Sequence, residues 1–380
     1  MIKSLFNIIV NNKFVCSFLS VILIIIIGVI DFITGYELSF QFFYLIPLTL
    51  VSLNVKFKKR YLIFFAVLGA TVWFLADFLS NHAYSNEFFY FWNAFSRLII
   101  FIIFTLFLNF LTKYRIQIEL DFELSKKSFL INESIKYAKT IQDSLIPPFS
   151  EFKTFFPTSF ILSIPKDILS GDFFWYSKTK NNVFFAIIDC TGYGIPGSLL
   201  SVIGNILLER IVIGKNIILP NEILKNLHEE LVRVFSAGMV ESDDGMEICL
   251  IQFDELKNEI TVSQTSQSAI IIYPDSLIKE LERNGYTIGG ILSKRNGAFY
   301  TSETIKIEKG TWLYLFSDGY IDQFGTKENI KFGINNFTNL LKDVNHLTSN
   351  EQLEVFSNTI ENWKGDFKQT DDITVVGIGF

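Results

Sequence analysis

The chain has 380 residues and a formal net charge of −6, which leaves no basic footprint for nucleic acid as a primary partner. It is 49% hydrophobic and 16% aromatic, with 41 Phe and a mean hydropathy of +0.34, more apolar surface than a soluble enzyme of this length needs, so part of it belongs in lipid. Cys16, Cys190 and Cys249 lie far apart and there are only three His. A disulfide framework and a zinc site built on N and S ligands are thereby set aside, and any metal is expected to be hard and oxygen-bound.

Four apolar stretches open the chain: Val15 to Ile33, Leu38 to Val55, Tyr61 to Leu79 and Phe88 to Leu111. Each is near the ~20 residues a helix needs to cross the hydrocarbon core. The first lacks a small-residue cleavage site and is followed by further spans, so it reads as an anchor rather than a removable signal. Lys3 and Lys13 precede the first span, Lys56, Lys58, Lys59 and Arg60 fill the second connection, and Lys113 and Arg115 follow the fourth span. The other two connections carry Glu37 and Glu87 and no Lys or Arg. The positive-inside rule then predicts a multi-pass protein of the cell (inner) membrane, with both termini and the C-terminal domain cytoplasmic.

Asp31, Gln41, Asp77, Asn93 and Arg97 fall in the outer third of this bundle. Charges inside a membrane pair or line a cavity. Two readings stand: a pocket for a small ligand or a membrane lipid, or a structural ion pair of Arg97 with Asp31 or Asp77. Through Leu38-Ser39-Phe40, Tyr44-Leu45-Ile46-Pro47, Trp73 and Trp92-Asn93 the segment resembles the four-helix membrane module found ahead of some bacterial diguanylate cyclases. Residues 1–112 are therefore expected to form an all-α transmembrane bundle of four helices.

From Thr112 to Leu145 the chain turns charged, with no Gly or Pro, and Ile131, Ile135, Ala138, Ile141 and Leu145 recur at helical spacing. Pro147-Pro148 ends the helix. Residues 113–148 thus read as a signalling linker, either packed on the next domain or forming a homodimeric coiled coil of about two heptads.

Beyond Pro148 the pattern predicts strands at Val183–Asp189, Met246–Asp254, Ile260–Ser263, Ile270–Tyr273, Thr311–Ser317 and Ile373–Phe380. Helices are expected near Gly197–Val212, Asn221–Ser236, Asn336–Asp343 and Glu351–Trp363. This is an α+β domain, 149–380, with two sheets covered by helices. Asp172, Asp189, Asp318 and the pair Asp371 and Asp372 stand at the ends of apolar runs beside Gly or other turn signals. One such carboxylate is usually a turn former. Four so arranged can converge at one edge, where a cation must offset their repulsion, and Mg²⁺ or Mn²⁺ suits carboxylates, a carbonyl and water.

The runs SGDFFWY, DCTGYGIPGSLLS, DGMEICLIQFD, LFSDGYIDQFG and QTDDITVVGIGF occur in the order seen in PPM-type metal-dependent serine/threonine phosphatases, and the chain from Ala138 to Phe380 resembles their SpoIIE/RsbU-like branch. The resemblance implies an αββα sandwich, two Mn²⁺ or Mg²⁺ ions and a water nucleophile. It also implies a phosphorylated regulatory protein as partner, such as an anti-sigma-factor antagonist. Carried over by position, Asp189 bridges the two ions, Cys190 lends its backbone carbonyl, Asp318 and Asp371 complete the first metal, and Asp172 serves the second. Asp372 caps or orients. Gly192, Gly194 and Gly197 let backbone approach the site, Gly319 is a further supporting residue, and Lys166 either contacts phosphate or is a solvated surface Lys. Tyr193 stands where the branch usually has His, Glu247 replaces an Asp, and Ser263–Ser268 replaces an AGANNP-like segment. A phosphoprotein-binding module without turnover is the alternative function. SGDFF also resembles a GG(D/E)EF cyclase loop, but nothing downstream fits a cyclase.

Overall fold

The computed structural model describes residues 9–34, 40–80, 84, 86, 88–237, 244–283, 286–289, 299–325 and 330–380. Lys3, Glu37, Leu38, Ser39 and Glu87, used above, lie outside the described residues. The chain divides into two compact units, 1–129 and 130–380.

In the first unit, α1 (Lys13–Thr34), α3 (Lys59–Leu79) and the start of α4 (Phe88–Leu145) are long and apolar enough to cross a membrane. The second expected span is shorter: a 3-10 turn, Gln41–Tyr44, runs into α2 (Leu45–Leu53), together 13 residues against the ~20 needed. Asn54 stops it with an extended backbone conformation, and its side-chain amide donates to the Val10 carbonyl at 2.5 Å. The core of this unit gathers Cys16, Ile24, Tyr44, Leu48, Val51, Phe65 and Trp73. Most other large apolar side chains, including Phe18, Ile25, Phe64 and Phe107, face outward, as a lipid-facing surface requires. Helix α4 runs without a break from the fourth apolar stretch to Leu145.

The second unit is a four-layer sandwich. Its strands are β1 (Ser159–Ile164), β2 (Phe173–Lys178), β3 (Asn182–Cys190), β4 (Gly245–Asp254), β5 (Glu259–Gln264), β6 (Ser268–Ile272), β7 (Ile278–Glu280), β8 (Ile288–Gly289), β9 (Glu303–Lys306), β10 (Trp312–Phe316) and β11 (Ile373–Gly379). One sheet has the order β1-β11-β10-β6-β7; the other runs β2-β3-β4-β5-β9, with β8 beside β4. Helices α5 (Ile195–Glu209) and α6 (Pro220–Ala237) cover the second sheet, and α7 (Gly333–Val344) with α8 (Ser349–Lys364) covers the first.

This layering explains the continuous apolar run of β3. Phe185 and Ile187 enter the core between the sheets with Ile251, Leu313 and Val376. Phe184, Ala186 and Ile188 meet Leu208, Leu224 and Leu227 from the helices. A strand covered on both faces has no polar side. The stretch Ile195–Gly214 is also apolar and long enough for a span, yet its Leu200, Leu207, Leu208 and Ile211 pack on the sheet. The six expected strands and four expected helices of this unit all form within a few residues of their predicted bounds. Strands β1, β2, β7, β8 and β9 were not anticipated.

Candidate active site

Strand register explains how residues far apart in sequence meet. In the β2–β3 hairpin Phe173 lies opposite Ile188, so Asp172 and Asp189 stand at the same end. In the other sheet Phe316 lies opposite Val375, and the Ser317 N–H donates to the Thr374 carbonyl at 3.0 Å. Asp318 and Asp371 therefore leave their strands together. The carboxylates act on one another across this edge: Asp189 feels Asp172, Asp318, Asp371 and Glu247.

Their protonation reflects that crowding. Burial, then repulsion from Asp172, Asp318, Asp371 and Glu247, pushes Asp189 up to about 10. Burial pushes Asp172 up to about 8, against the pull of the Ser317 and Thr374 hydroxyls, with Asp372 and Asp371 adding to the rise. Asp318, more open to solvent, rises to about 6 through burial and then Asp371. Asp371 is also raised, by burial first. Burial and the neighbouring Asp189 hold the Cys190 thiol well above its usual range, so it stays protonated and only its carbonyl is a plausible donor.

Close backbone approaches build the pocket. A Cβ on Gly171 would lie 2.9 Å from the Cys190 carbonyl oxygen and 3.4 Å from that of Gly192. One on Gly319 would lie 2.0 Å from the Asp372 carbonyl oxygen, so only Gly lets Asp318 settle against Asp371. Gly192 has φ +90°, and its carbonyl would sit 2.1 Å from a Cβ on Gly197. This tight turn carries the chain from the end of β3 into α5.

Asp372 has a different part. Its Oδ1 accepts the Lys166 N–H at 2.7 Å and its Oδ2 accepts the Gly171 N–H at 2.8 Å. Both oxygens are committed to the loop that presents Asp172, so Asp372 orients. The Lys166 ammonium lies 3.3 Å from the centroid of the Tyr193 ring, and the Tyr193 hydroxyl donates to Asp371 Oδ2 at 3.3 Å. From the linker, the buried Gln142 side chain donates to the Ser170 carbonyl at 2.7 Å and to Ser201 Oγ at 2.8 Å.

Two further residues reach the site. Glu247 lies directly across the ladder from Asp189. Gln267, in the connection that passes from β5 of one sheet to β6 of the other, donates to Asp189 Oδ2 at 3.4 Å. Both belong to stretches that depart from the family pattern, which is the sequence signal that marks them.

The donor set fits a hard divalent cation. It is all oxygen, its mutual repulsion calls for positive charge, and Asp172 Oδ2 is buried without a hydrogen-bond partner. The carboxylates line the edge rather than closing on one point: among the described residues no three acidic, His or Cys side chains form a ready-made cage.

The polar residues of the first unit form a separate cluster. Arg97 Nε donates to Gln41 Oε1 at 3.1 Å, and its guanidinium lies 3.5 Å from the Trp73 ring centroid. Gln41 and Trp73 are thus the side-chain partners of the guanidinium among the described residues, with Asp77 and Asp31 acting on it electrostatically. Tyr84 joins Asp77 at 3.0 Å to Asn93 at 3.2 Å. Asp31 accepts the Phe40 N–H at 3.3 Å.

Comparison with known proteins matches residues 179–380 to the family described as Stage II sporulation protein E (SpoIIE). Phosphoserine phosphatase RsbU of Bacillus subtilis (strain 168) is 26% identical over 160 residues, 42% of this chain and 44% of that protein, so the match spans less than half of the relative. Among solved structures, the SiaA-PP2C domain of Pseudomonas aeruginosa aligns with a TM-score of 0.61 and 24% identity, over 67% of this chain and 98% of that one. The PP2C phosphatase domain of SpoIIE from Bacillus subtilis aligns at 0.47 and 18%, over 59% and 63%. The chain belongs to the SpoIIE family, and its C-terminal region has the PP2C-type phosphatase fold.

Proposed function

We propose that this protein is a membrane-anchored, metal-dependent phosphoprotein serine/threonine phosphatase. The observation that carries this reading is the gathering of Asp172, Asp189, Asp318 and Asp371 at one edge of the sandwich, with Asp189 at its electrostatic centre. Asp189, the Cys190 carbonyl, Asp318 and Asp371 would hold one Mn²⁺ or Mg²⁺, and Asp189 with Asp172 a second. Such ions supply a water acidic enough to attack phosphorus as hydroxide, and offset charge developing on the phosphoryl oxygens.

The chain's own residues prepare that site. Asp372 fixes the Lys166–Gly171 loop so that Asp172 faces Asp189. Gln267 holds Asp189 from the opposite sheet. Gly171 and Gly319 let the Cys190 and Asp372 carbonyls pack where a Cβ would clash, which keeps the carboxylate-bearing strand ends together.

Residues 1–112 serve as anchor and sensor in the inner membrane, 113–148 as linker and 149–380 as the cytoplasmic phosphatase domain. The apolar outward faces of α1, α3 and early α4 support the anchor. The relative RsbU, a phosphoserine phosphatase, supports a phosphorylated cytoplasmic regulator as substrate. The exposed Leu130, Ile131 and Tyr137 of the linker support a homodimer through it. The cluster around Arg97 supports a ligand or lipid site in the bundle.

The test is hydrolysis of an aryl phosphate by the full chain in detergent, with Mn²⁺ titrated in. The reading predicts metal-dependent turnover abolished by Asp189→Asn or Asp318→Asn. No hydrolysis with any divalent cation would leave the phosphoprotein-binding module as the better account. Protease added outside intact cells stripped of their outer layers should spare the C-terminal domain; its digestion would overturn the orientation.

A further inference from the structure

The Ser170 carbonyl and the Gly171 N–H belong to one peptide unit, the last before Asp172. Each is held by a side chain from outside the loop. The carbonyl accepts Gln142 Nε2 at 2.7 Å, and the N–H donates to Asp372 Oδ2 at 2.8 Å. One hold comes from the end of α4 and the other from the lead-in to β11. Gln142, Ser170, Ser201 and Asp372 are all buried. A carbonyl oxygen can only accept, so the Gln142 atom facing it is the amide nitrogen. The same nitrogen donates to Ser201 Oγ at 2.8 Å, and Ser201 in turn donates to the Ser198 carbonyl at 2.8 Å. Gln142 Oε1 is left buried without a hydrogen-bond partner among the described residues. A buried bare acceptor is unfavourable, and an apolar side chain of similar size would fill the space without it. What the amide adds is therefore its donor contacts, one of them to the loop that carries Asp172.

Gly171 explains why this peptide needs holding. A Cβ there would lie 2.9 Å from the Cys190 carbonyl oxygen, so the close approach requires glycine. Glycine also lets the Ser170–Gly171 peptide plane turn over at little steric cost. Such a turn re-aims the chain at Asp172. Opposed hydrogen bonds on the carbonyl and the N–H of one peptide unit remove that freedom.

The geometry points to Gln142 as a positioning residue for the metal centre: the end of the linker helix fixes the peptide plane that aims Asp172 at the second ion. This rests on the metal-dependent reading above and adds to it a residue from outside 149–380. The competing role is docking alone, with Gln142 merely holding the linker on α5. Asn205 provides the comparison. It lies one turn beyond Ser201 on α5, and its Nδ2 donates to the Leu145 carbonyl at 3.1 Å. It thus ties down the same helix end through a different carbonyl.

The two roles separate in the full chain in detergent, without substrate. Mn²⁺ binding is measured by calorimetry, and amide exchange over 169–173 is followed by mass spectrometry in EDTA. Gln142→Met keeps the length of the side chain and removes its donors. It should weaken the second Mn²⁺ about 10-fold, the effect of one lost hydrogen bond, and leave the first within about 2-fold. Exchange over 169–173 should speed up about 10-fold or more. Asn205→Leu should lower the melting temperature at least as much, yet keep the parent's Mn²⁺ affinities and exchange. Parental Mn²⁺ affinity and exchange in Gln142→Met, or an equal loss of the second ion in Asn205→Leu, would overturn the inference. A parent that binds no Mn²⁺, with exchange still faster in Gln142→Met, would refute the metal reading and not the hold on the Asp172 loop.

Discussion

Asp372 and Gly171, 201 residues apart, are joined by a 2.8 Å hydrogen bond from the Gly171 N–H to Asp372 Oδ2. The other oxygen of the same carboxylate takes the Lys166 N–H. The lead-in to the last strand thus holds the loop that presents Asp172. Asp372→Asn places an amide NH₂ against one of these two donors. It should cost about 1–3 kcal/mol of domain stability, the cost of a buried polar group losing its partner. Denaturant unfolding of the variant beside the parent measures this, and equal midpoints would show that the bond is dispensable.

Gly319 admits no side chain. A methyl group there meets the Asp372 carbonyl oxygen at 2.0 Å and Asp371 Cβ at 3.2 Å, so Gly319→Ala must push Asp371 away from Asp318. We expect at least a hundredfold loss of hydrolysis, about 2.7 kcal/mol or more in barrier terms. Gly333 is the control: its φ is +79° but nothing lies within 4 Å of a Cβ. Gly333→Ala should cost about 1 kcal/mol of stability through backbone strain and leave turnover intact.

The carboxylates couple folding to pH and to metal. Asp318, Asp172 and Asp189 are raised from 3.8 to about 6, 8 and 10. A carboxylate raised on folding contributes stability that is full below its unfolded value and is lost as pH rises through its folded value. In EDTA, then, the melting temperature of the phosphatase domain should fall as pH climbs from about 5 to about 9. Mn²⁺ should reverse this by taking the place of protons, so its stabilising increment should grow with pH and its binding should release protons. Calorimetric melts at several pH values, with and without the ion, check both slopes. An increment independent of pH would contradict the carboxylate site.

His228 gives a slope in the same direction as metal-loaded carboxylates, from a half-buried position on α6 beside β8. Burial lowers it from 6.5, and its Nδ1 accepts the Gly289 N–H at 3.1 Å. A group lowered on folding contributes stability that is present above its unfolded value and lost as pH falls through its folded one. Stability of the Mn²⁺-loaded domain should therefore drop below about pH 6.5. His228→Asn, which offers an acceptor without a charge, should flatten that part of the profile.

The sequence pattern carried much of this fold, for physical reasons visible in single elements. VFFAIID is legible because a strand buried on both faces has nothing but apolar residues, and its terminal Asp189 stands out at once. FFWYSK of β2 is equally apolar but short and crowded between turn residues, so periodicity alone did not separate it from a loop. Strands β7 and β8 have three and two residues, too few to show any period. In the first unit, hydropathy could not tell a helix long enough to span a membrane from the 13-residue Gln41–Leu53, because Asn54 ends it within an otherwise apolar run. Among the site residues, the carboxylates were marked by their places at strand ends. Asp372 could be separated from Asp371 only by geometry, since adjacent identical residues differ in nothing but where the backbone aims them. Gln267 lay in a stretch marked by its departures, yet its contact with Asp189 depends on the crossover from one sheet to the other, which no local pattern reveals.

On the proposed reading, metal held by carboxylates at this edge removes phosphate from protein serine or threonine. Its most direct measurement is release of inorganic phosphate from a serine-phosphorylated protein by the full chain in detergent. Mn²⁺, EDTA and Asp318→Asn with Mn²⁺ form the three arms. The account predicts release with Mn²⁺ alone, falling to background in EDTA and in Asp318→Asn. Equal release in all three arms, or none with Mn²⁺, would contradict it.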